Sequence, residues 1–326
     1  MRAFVTGASG QIGLPLVREL VGRGHTVRAL VRSAEKEEAV RSAGAEIIAG
    51  SMADRAALER GVNGVDVVFH LAGGARGSGR ETADVINRQA TELLADVLRS
   101  QPAGSKKPNV VFASSATVYG DRSGLWVPED FPSNAQTEYG KAKLAAEKAL
   151  AAAGVPLVIA RIAAVYGRGT RFTADDRLKA GRGWLPGEGK NLVPLVHIDD
   201  CVAALILIAE RGFGTEGSER APSVVHIAGK STPLLREFYA EVHRQSGGKP
   251  MRFWSTWVPS VFQFRAAKEN ERLATLFGWK PRFTQDNLRI YTSSLRLRTD
   301  ALEKQLGFTW KYADHKEGIA ASVSPD

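Results

Sequence analysis

Tyr139 and Lys143 stand one helical turn apart in Tyr139-Gly140-Lys141-Ala142-Lys143, which opens an alanine-rich, helix-like segment running to Ala153. Residues at i and i+4 share a helix face, so phenol and ammonium can converge on one small volume. A free phenol has a pKa of about 10 and exchanges protons poorly at neutral pH. A neighbouring ammonium stabilises the phenolate and lowers that value, as proton exchange with an alcohol or ketone requires. The pair alone is common on solvated helix faces. Here, however, an apolar strand, Val110 to Ser114, runs into Ser115-Ala116-Thr117-Val118-Tyr119-Gly120, where a serine hydroxyl can hold a substrate oxygen.

A second group of residues suits a phosphate. The short strand Ala3 to Thr6 is followed by Gly7-Ala8-Ser9-Gly10-Gln11-Ile12-Gly13 and then by a helix. Glycines allow a tight turn and a close backbone approach to a pyrophosphate, and the helix start offers unpaired N–H groups and partial positive charge. Strand, glycine loop and helix in that order are the context that makes such a loop a dinucleotide site. At the end of the second strand, where an enzyme using NAD usually carries an acidic residue for the ribose hydroxyls, the chain reads Leu30-Val31-Arg32-Ser33. A carboxylate repels a 2′-phosphate, whereas Arg32 can bind it through a charge-assisted fork. NADP(H) is therefore expected in preference to NAD(H).

The elements that must position these residues alternate. Strands are expected at Ala3–Thr6, Thr26–Val31, Glu46–Ala49, Val65–Leu71, Val110–Ser114 and Leu157–Ile162, and helices at Leu14–Arg23, Glu35–Ala43, Arg55–Arg60 (capped by Asp54), Glu81–Ser100 and Tyr139–Ala153. Such alternation predicts an α/β fold, a doubly wound parallel sheet of the Rossmann kind with ligands at the C-terminal edge of its strands. His70-Leu71-Ala72-Gly73 ends one strand there, with small residues to let a cofactor pass. From Gly167 the pattern turns irregular; a helix, Asp199 to Arg211, and a strand, Val224 to Ile227, then return. Residues 1–166 and 199–228 are accordingly assigned to a dinucleotide-binding domain, and 167–198 and 229–326 to a smaller C-terminal substrate-binding domain.

Composition narrows the classes. The chain has 326 residues, 44% hydrophobic, enough to bury a large core. Its single cysteine, Cys201, sits in an apolar helical stretch and is read as inert packing; one cysteine excludes an intrachain disulfide. The absence of a signal-like start and of a long apolar run predicts a soluble, cytoplasmic protein without an integral membrane segment. The net charge of +9 is spread along the chain, with a mild basic excess between Arg252 and Arg298 interleaved with Trp254, Trp257, Phe262, Phe264 and Trp279. Such a mixture can bind single strands or lie on a membrane. It is assigned to a solvated face over an apolar substrate domain, with no nucleic-acid partner; positive charge also suits an anionic cofactor.

Together, Thr6-Gly7-x-x-Gly10-x-x-Gly13, Ser115-Ala116-Thr117-Val118-Tyr119-Gly120, Tyr139-x-x-x-Lys143, Arg161-Ile162-Ala163-Ala164-Val165-Tyr166-Gly167 and Val196-His197-Ile198-Asp199-Asp200 resemble the extended short-chain dehydrogenase/reductases, the NAD-dependent epimerase/dehydratase superfamily. The resemblance covers about residues 2 to 230. It implies that Tyr139 exchanges the proton and that Lys143 binds the nicotinamide ribose and depresses the tyrosine's pKa. It also implies that Ser115 orients the carbonyl or hydroxyl and that Asn87 is the family asparagine at the kink of the long helix. Gly7, Gly10, Gln11, Ile12 and Gly13 are implied pyrophosphate contacts, and Arg32, Met52, Leu71, Ala72, Gly73, Ser114 and Ile162 further cofactor-side positions. Two positions depart from the family: Gly50-Ser51-Met52 lacks the aspartate that often meets the adenine, and isoleucine rather than proline follows Arg161. His197 and Asp199 match a structural segment of the family, so tertiary packing rather than a metal is expected there.

The same cofactor chemistry serves reductases, epimerases and dehydratases. Asn191-Leu192-Val193-Pro194-Leu195-Val196 lacks the arginine with which nucleotide-sugar enzymes hold a diphosphate, and Ala116-Thr117 lacks the acidic residues of many dehydratases. Phe172, Trp184, Leu185 and Pro186 suggest an apolar, aromatic or polycyclic substrate. The preferred reading is a ketone reductase or alcohol dehydrogenase similar in style to dihydroflavonol reductases and 3β-hydroxysteroid dehydrogenases. A nucleotide-sugar epimerase or dehydratase, with Arg76, Arg80, Arg168 and Arg171 on the diphosphate, is the alternative. A non-catalytic NADP-binding subunit is the third reading. Pairing through the two long helices predicts a homodimer.

Overall fold

The computed structural model describes residues 1–74, 83–102, 104–170, 184–214, 222–247, 252–253, 260–279, 281 and 284–323. Arg76, Arg80, Arg171, Phe172, Trp254 and Trp257 lie outside them, and of Trp184 only the backbone is described.

Seven parallel strands form the central sheet: β1 (Arg2–Thr6), β2 (Thr26–Val31), β3 (Glu46–Ala49), β4 (Val67–His70), β5 (Asn109–Ser115), β7 (Leu157–Ile162) and β11 (Val224–Ile227), in the order β11-β7-β5-β4-β1-β2-β3. The order reverses between β1 and β4, which opens a crevice at the C-terminal edge. Helices α1 (Gly13–Gly22) and α6 (Ile198–Arg211) cover one face of the sheet with Leu16, Val17, Leu20, Cys201, Leu205 and Ile208. Helices α3 (Arg55–Val62), α4 (Ala90–Arg99) and α5 (Glu138–Ala151) cover the other, packing Leu58, Leu94, Leu98, Ala146 and Leu150 on Phe4, Val68, Val110 and Phe112. A short helix, α2 (Ala34–Arg41), joins β2 to β3. The doubly wound α/β sheet expected from the alternation is the fold.

Several elements differ from expectation for local reasons. The β4 strand is shorter than Val65–Leu71, because Val65 N–H bonds Val62 in a turn and Asp66 N–H pairs with Arg2 at the sheet margin. The expected helix at Glu81–Ser100 is broken in character: Val85–Gln89 is a π-helical turn that leads into α4, and Asn87 sits within it. Asp54 caps α3, accepting from Ala57 N–H at 3.1 Å.

The remaining strands form parallel pairs, β8 (Ala164–Tyr166) with β10 (Leu195–His197), β9 (Trp184–Leu185) with β12 (Arg252–Phe253), and β6 (Trp126–Val127) with β13 (Arg296–Leu297). Helices α7 (Leu235–Ser246), α8 (Ser260–Phe277), α9 (Gln285–Thr292) and α10 (His315–Val323) complete the fold. Tyr166, Leu195, Leu235, Phe238 and Ile319 form a separate apolar cluster among them. Among the described residues, no helix is long and apolar enough to cross a membrane.

Candidate active site

The loop after β1 folds as its glycines require. Gly7 has φ +70°, and a Cβ there would lie 2.7 Å from the backbone of Leu71 and Ala72 at the end of β4. Gly10 N–H closes the turn on the Gly7 carbonyl at 2.9 Å. At the start of α1, no side chain caps the helix and no acidic residue occupies the first turn. Its N–H groups and partial positive charge therefore face the loop without an internal anion. Gly10 and Gln11 are exposed, Ile12 half-buried and Gly13 buried at this start. Arg32 is exposed immediately after β2, and Met52 is half-buried after the neighbouring β3.

Beside this loop, His70 ties the edge together. Ala72 N–H donates to Thr6 Oγ1 at 3.2 Å, and Thr6 Oγ1 pairs with His70 Nδ1 at 2.7 Å. His70 Nε2 meets Thr91 Oγ1 at 2.8 Å, and that hydroxyl donates to the Asn87 carbonyl at 2.5 Å. The bonds share one direction only if His70 carries its proton on Nε2. Burial, with the Lys143 charge adding to it, lowers the His70 pKa to about 3 and keeps the ring neutral.

Asn87 lies within the π-helical turn and bonds the backbone on either side. Its amide donates to the carbonyls of Gly74 (3.0 Å) and Ala83 (2.7 Å), and its Oδ1 accepts from Gly74 N–H at 3.2 Å. It clamps the segment after β4 against the π-helical turn.

On the next strand, Ser115 ends β5 and caps the turn Ala116–Tyr119, accepting from Thr117 N–H at 3.2 Å and from Thr117 Oγ1 at 3.0 Å. Its hydroxyl is close enough to the phenol of Tyr139 to favour the phenolate. Thr137 caps α5 by accepting from Gly140 N–H at 3.0 Å, which sets the first turn that carries Tyr139. Ser115 and Tyr139 thus lie near one another at this edge.

Lys143 lies one helical turn beyond Tyr139. Its buried ammonium donates to the Ala113 carbonyl at 2.9 Å and lies 4.9 Å from the centre of the Phe112 ring. Burial pushes Tyr139 up to about 12, and only the Ser115 hydroxyl opposes it. Burial pulls Lys143 down to about 8, with Glu147 acting the other way.

Glu147 was not singled out from the sequence, although it stands one turn beyond Lys143. It is buried, takes a two-pronged bond from Arg161 (3.0 and 2.7 Å) and accepts from Ser114 Oγ. Ser114 thus turns its hydroxyl into the interior. Arg161 also donates to Tyr119 Oη at 2.7 Å, Tyr119 pairs with His226 Nε2 at 2.6 Å, and His226 Nδ1 with the Arg298 carbonyl at 2.7 Å. This chain runs from the catalytic helix across β7 and β11 to the C-terminal segment. Ile162, next along β7, is buried and in register with Ser115.

The other sequence candidates have structural roles or separate locations. Cys201 is fully buried, and burial pushes its thiol up to about 12. His197 caps α6 through Asp199 N–H at 3.2 Å and packs edge-on against Tyr166 and Tyr312, while Asp200 accepts from the backbone of Lys311 and Tyr312. Among the described residues, no group of histidine, cysteine and acidic side chains could hold a metal. Arg168 is exposed beyond β8; Leu185 is half-buried and Pro186 buried.

Known proteins resemble this chain in sequence and fold. The chain is 34% identical over 226 residues to 4-hydroxy-2-methyl-3-oxo-4-farnesyl-3,4-dihydroquinoline-1-oxide ketoreductase of Stigmatella aurantiaca, and the match spans 66% of each chain. It is 32% identical over 223 residues to 2-alkyl-3-oxoalkanoate reductase of Stenotrophomonas maltophilia (strain K279a), covering 64% of this chain and 66% of that one. The chain therefore spans just under two thirds of the length of these two relatives. The solved structure of MoeE5 in complex with UDP-glucose and NAD superposes with a TM-score of 0.73 at 25% identity, over 99% of this chain and 97% of that one. The sequence pattern of the NAD dependent epimerase/dehydratase family matches residues 3–220, and the chain belongs to that family.

Proposed function

We propose that this chain is an NADP(H)-dependent oxidoreductase that interconverts a ketone and a secondary alcohol on an apolar, aromatic or polycyclic substrate. The nearness of the Ser115 hydroxyl to the Tyr139 phenol at the C-terminal edge of β5 carries this reading. The cradle at Gly7 and the uncapped start of α1 fit a pyrophosphate. When bound, a nicotinamide cofactor supplies or accepts the hydride at the substrate carbon. The chain supplies the proton. A phenol held protonated by burial is the form that ketone reduction consumes: Tyr139 gives its proton to the carbonyl oxygen as that oxygen gains charge. Ser115 donates to the same oxygen and holds it beside the phenol. Lys143 keeps a positive charge at this edge, on the cofactor's ribose side.

The two relatives named as reductases of ketones support this chemistry, and the farnesyl and alkyl groups in their names support an apolar substrate. Arg32 supports NADP(H) over NAD(H). Division into a dinucleotide-binding part (1–166 and 199–228) and a substrate-binding part (167–198 and 229–326) belongs to the same proposal. So does a cytoplasmic homodimer paired through α4 and α5, for which a monomeric mass by light scattering at micromolar concentration is the adverse result.

MoeE5, with its UDP-glucose and NAD, favours the second reading, a nucleotide-sugar epimerase or dehydratase. Incubation with NADPH and a panel of aromatic and cyclic ketones separates the two. Cofactor oxidation that disappears in Tyr139→Phe is expected. Turnover of a UDP- or dTDP-sugar with no net change in cofactor overturns the reductase reading, and activity untouched by Tyr139→Phe overturns the mechanism. Binding of NADPH without turnover of either substrate class would leave the non-catalytic subunit.

A further inference from the structure

Helix α8 is amphipathic in an unusual sense. Gln263, Ala267 and Ala274 are buried on its inner side. Its outer side carries Phe262, Leu273, Leu276 and Phe277, spaced to fall on one stripe of a 3.6-residue period, and all are exposed, Phe277 to 70%. Trp279 continues the stripe, stacked on Phe277 with ring centres 5.5 Å apart. Arg265, Lys268 and Arg272 are exposed along one edge, and the acid Glu269, which falls within the stripe, pairs with Arg272 at 3.8 Å. An ordinary solvated face does not present four large apolar side chains in a row.

The geometry points to this face as a docking surface for an anionic lipid bilayer, a property beyond the oxidoreductase reading. The helix is about 27 Å long at 1.5 Å per residue, and such a helix can lie flat in the headgroup region. Its aromatic and leucine side chains enter the acyl boundary while the flanking cations meet lipid phosphates. A second copy of the chain fits less well in antiparallel pairing, which brings the two cationic edges together with too few acids to match them.

The inner side of α8 leads toward the catalytic helix. Glu271 accepts from Gln285 N–H at 2.7 Å and Gln285 Nε2 at 2.8 Å, and the adjacent Asp286 of α9 accepts from Glu138 N–H at 2.8 Å, next to Tyr139. A bilayer on the outer side would therefore lie one helix away from the element that begins the active site. An apolar substrate would be met where it dissolves.

The test is co-sedimentation of the full chain with vesicles of phosphatidylcholine and phosphatidylglycerol in equal parts, and with phosphatidylcholine alone. Binding to the anionic vesicles, weakened by salt, is expected. Arg265→Gln with Arg272→Gln should weaken it about thirtyfold, at about 1 kcal/mol per basic residue. Leu276→Asp with Phe277→Asp should abolish it, with the melting temperature and the turnover of a water-soluble ketone unchanged. Absence of binding at low salt overturns the proposal, as does full binding by the double aspartate variant. A dimer in light scattering that this variant dissociates would assign the face to self-association instead. Because vesicle binding needs no turnover, its failure is distinct from failure of the reductase reading.

Discussion

Thr117 donates to the Ser115 hydroxyl twice, from its backbone N–H at 3.2 Å and from its own Oγ1 at 3.0 Å. A serine hydroxyl has two acceptor lone pairs and one proton. With both lone pairs taken, the Ser115 proton can only be given outward, to Tyr139 or to a substrate oxygen beside it. Thr117 thereby fixes Ser115 as a donor, the role a ketone oxygen needs.

Thr117→Val removes one of those two bonds and preserves the shape of the side chain. The expected loss is about 1 kcal/mol, or roughly fivefold in kcat, with a smaller change in KM. Thr117→Ser, which keeps the hydroxyl, should recover most of it. Steady-state kinetics on any ketone that is turned over decide the matter. Equal rates in the valine variant and the parent would remove Thr117 from the site, and a serine variant as slow as valine would reduce it to packing.

Lys143 supplies a pH dependence. Burial sets its pKa at about 8, so the ammonium is lost as pH rises through that value. Activity should fall on an alkaline limb near pH 8. Replacing Glu147 by Gln removes the anion that favours the ammonium and should move the limb to lower pH. Stability runs the other way. Between about pH 8 and 10 the unfolded chain still holds the lysine proton that the native state has released, so unfolding free energy rises with pH, by about 3 kcal/mol. Denaturant melts of the parent and of Lys143→Met across this window should show the rise only in the parent.

The buried histidines predict the acid limit. His70 and His226 are held neutral, with pKa values pulled to about 3 and about 4, chiefly by burial. Below the ordinary value of 6.5 the unfolded chain takes up protons that the native state refuses, so stability is lost as pH falls. Between pH 6.5 and 5 each histidine costs roughly 2 kcal/mol. Urea unfolding at the two pH values should show a combined loss near 4 kcal/mol, reduced by about half in His226→Gln. A stability flat across that interval would mean that both rings are already charged.

Much of this site was legible in the residues because its chemistry is local. Tyr139 and Lys143 share a helix turn, Ser115 ends a strand, and the glycine loop joins adjacent elements. The strands Thr26–Val31, Leu157–Ile162 and Val224–Ile227 coincide with their apolar runs, since each is buried between helices and bounded by turn residues. What was not legible depends on contacts distant in the chain. The bond pattern of Glu147 needs β5, β7 and α5 together, and the π-helical turn at Asn87 is indistinguishable from an α-helix by apolar period. The position of Lys143 is set by the Ala113 carbonyl, which no spacing rule names. The exposed apolar residues of α8 lie in a stretch whose mixture of basic and aromatic residues reads as a solvated face, because composition does not say which side chains the fold leaves outside.

The proposed preference for NADP(H) rests on Arg32. It is exposed where β2 ends, and no acidic residue stands between Val31 and Ala34. A charge-assisted bond to a 2′-phosphate contributes about 2 kcal/mol, so Arg32→Ala should lower the ratio of NADPH to NADH efficiency roughly thirtyfold. The loss should fall on NADPH, leaving NADH nearly unchanged. An unaltered ratio would refute the NADP(H) assignment while leaving the proton chemistry at Tyr139 intact.

Gly73 tests how tightly the site is built. It has φ +146°, outside the range comfortable for residues with a side chain, and it follows β4 at the crevice. A Cβ there would lie 2.4 Å from Asn87 Oδ1 and 3.0 Å from Lys143 Nζ. Gly73→Ala must therefore displace either the clamp on Gly74 or the ammonium above Ala113. Both are buried polar groups whose partners are not easily replaced, and loss of one such bond costs about 1–3 kcal/mol. The melting temperature should drop, and the alkaline limb near pH 8 should shift with it, because Lys143 is one of the two groups moved. A variant with lowered stability and an unmoved limb would place the whole displacement on Asn87. A variant indistinguishable from the parent would contradict the close approach of β4, the π-helical turn and α5 on which the site depends.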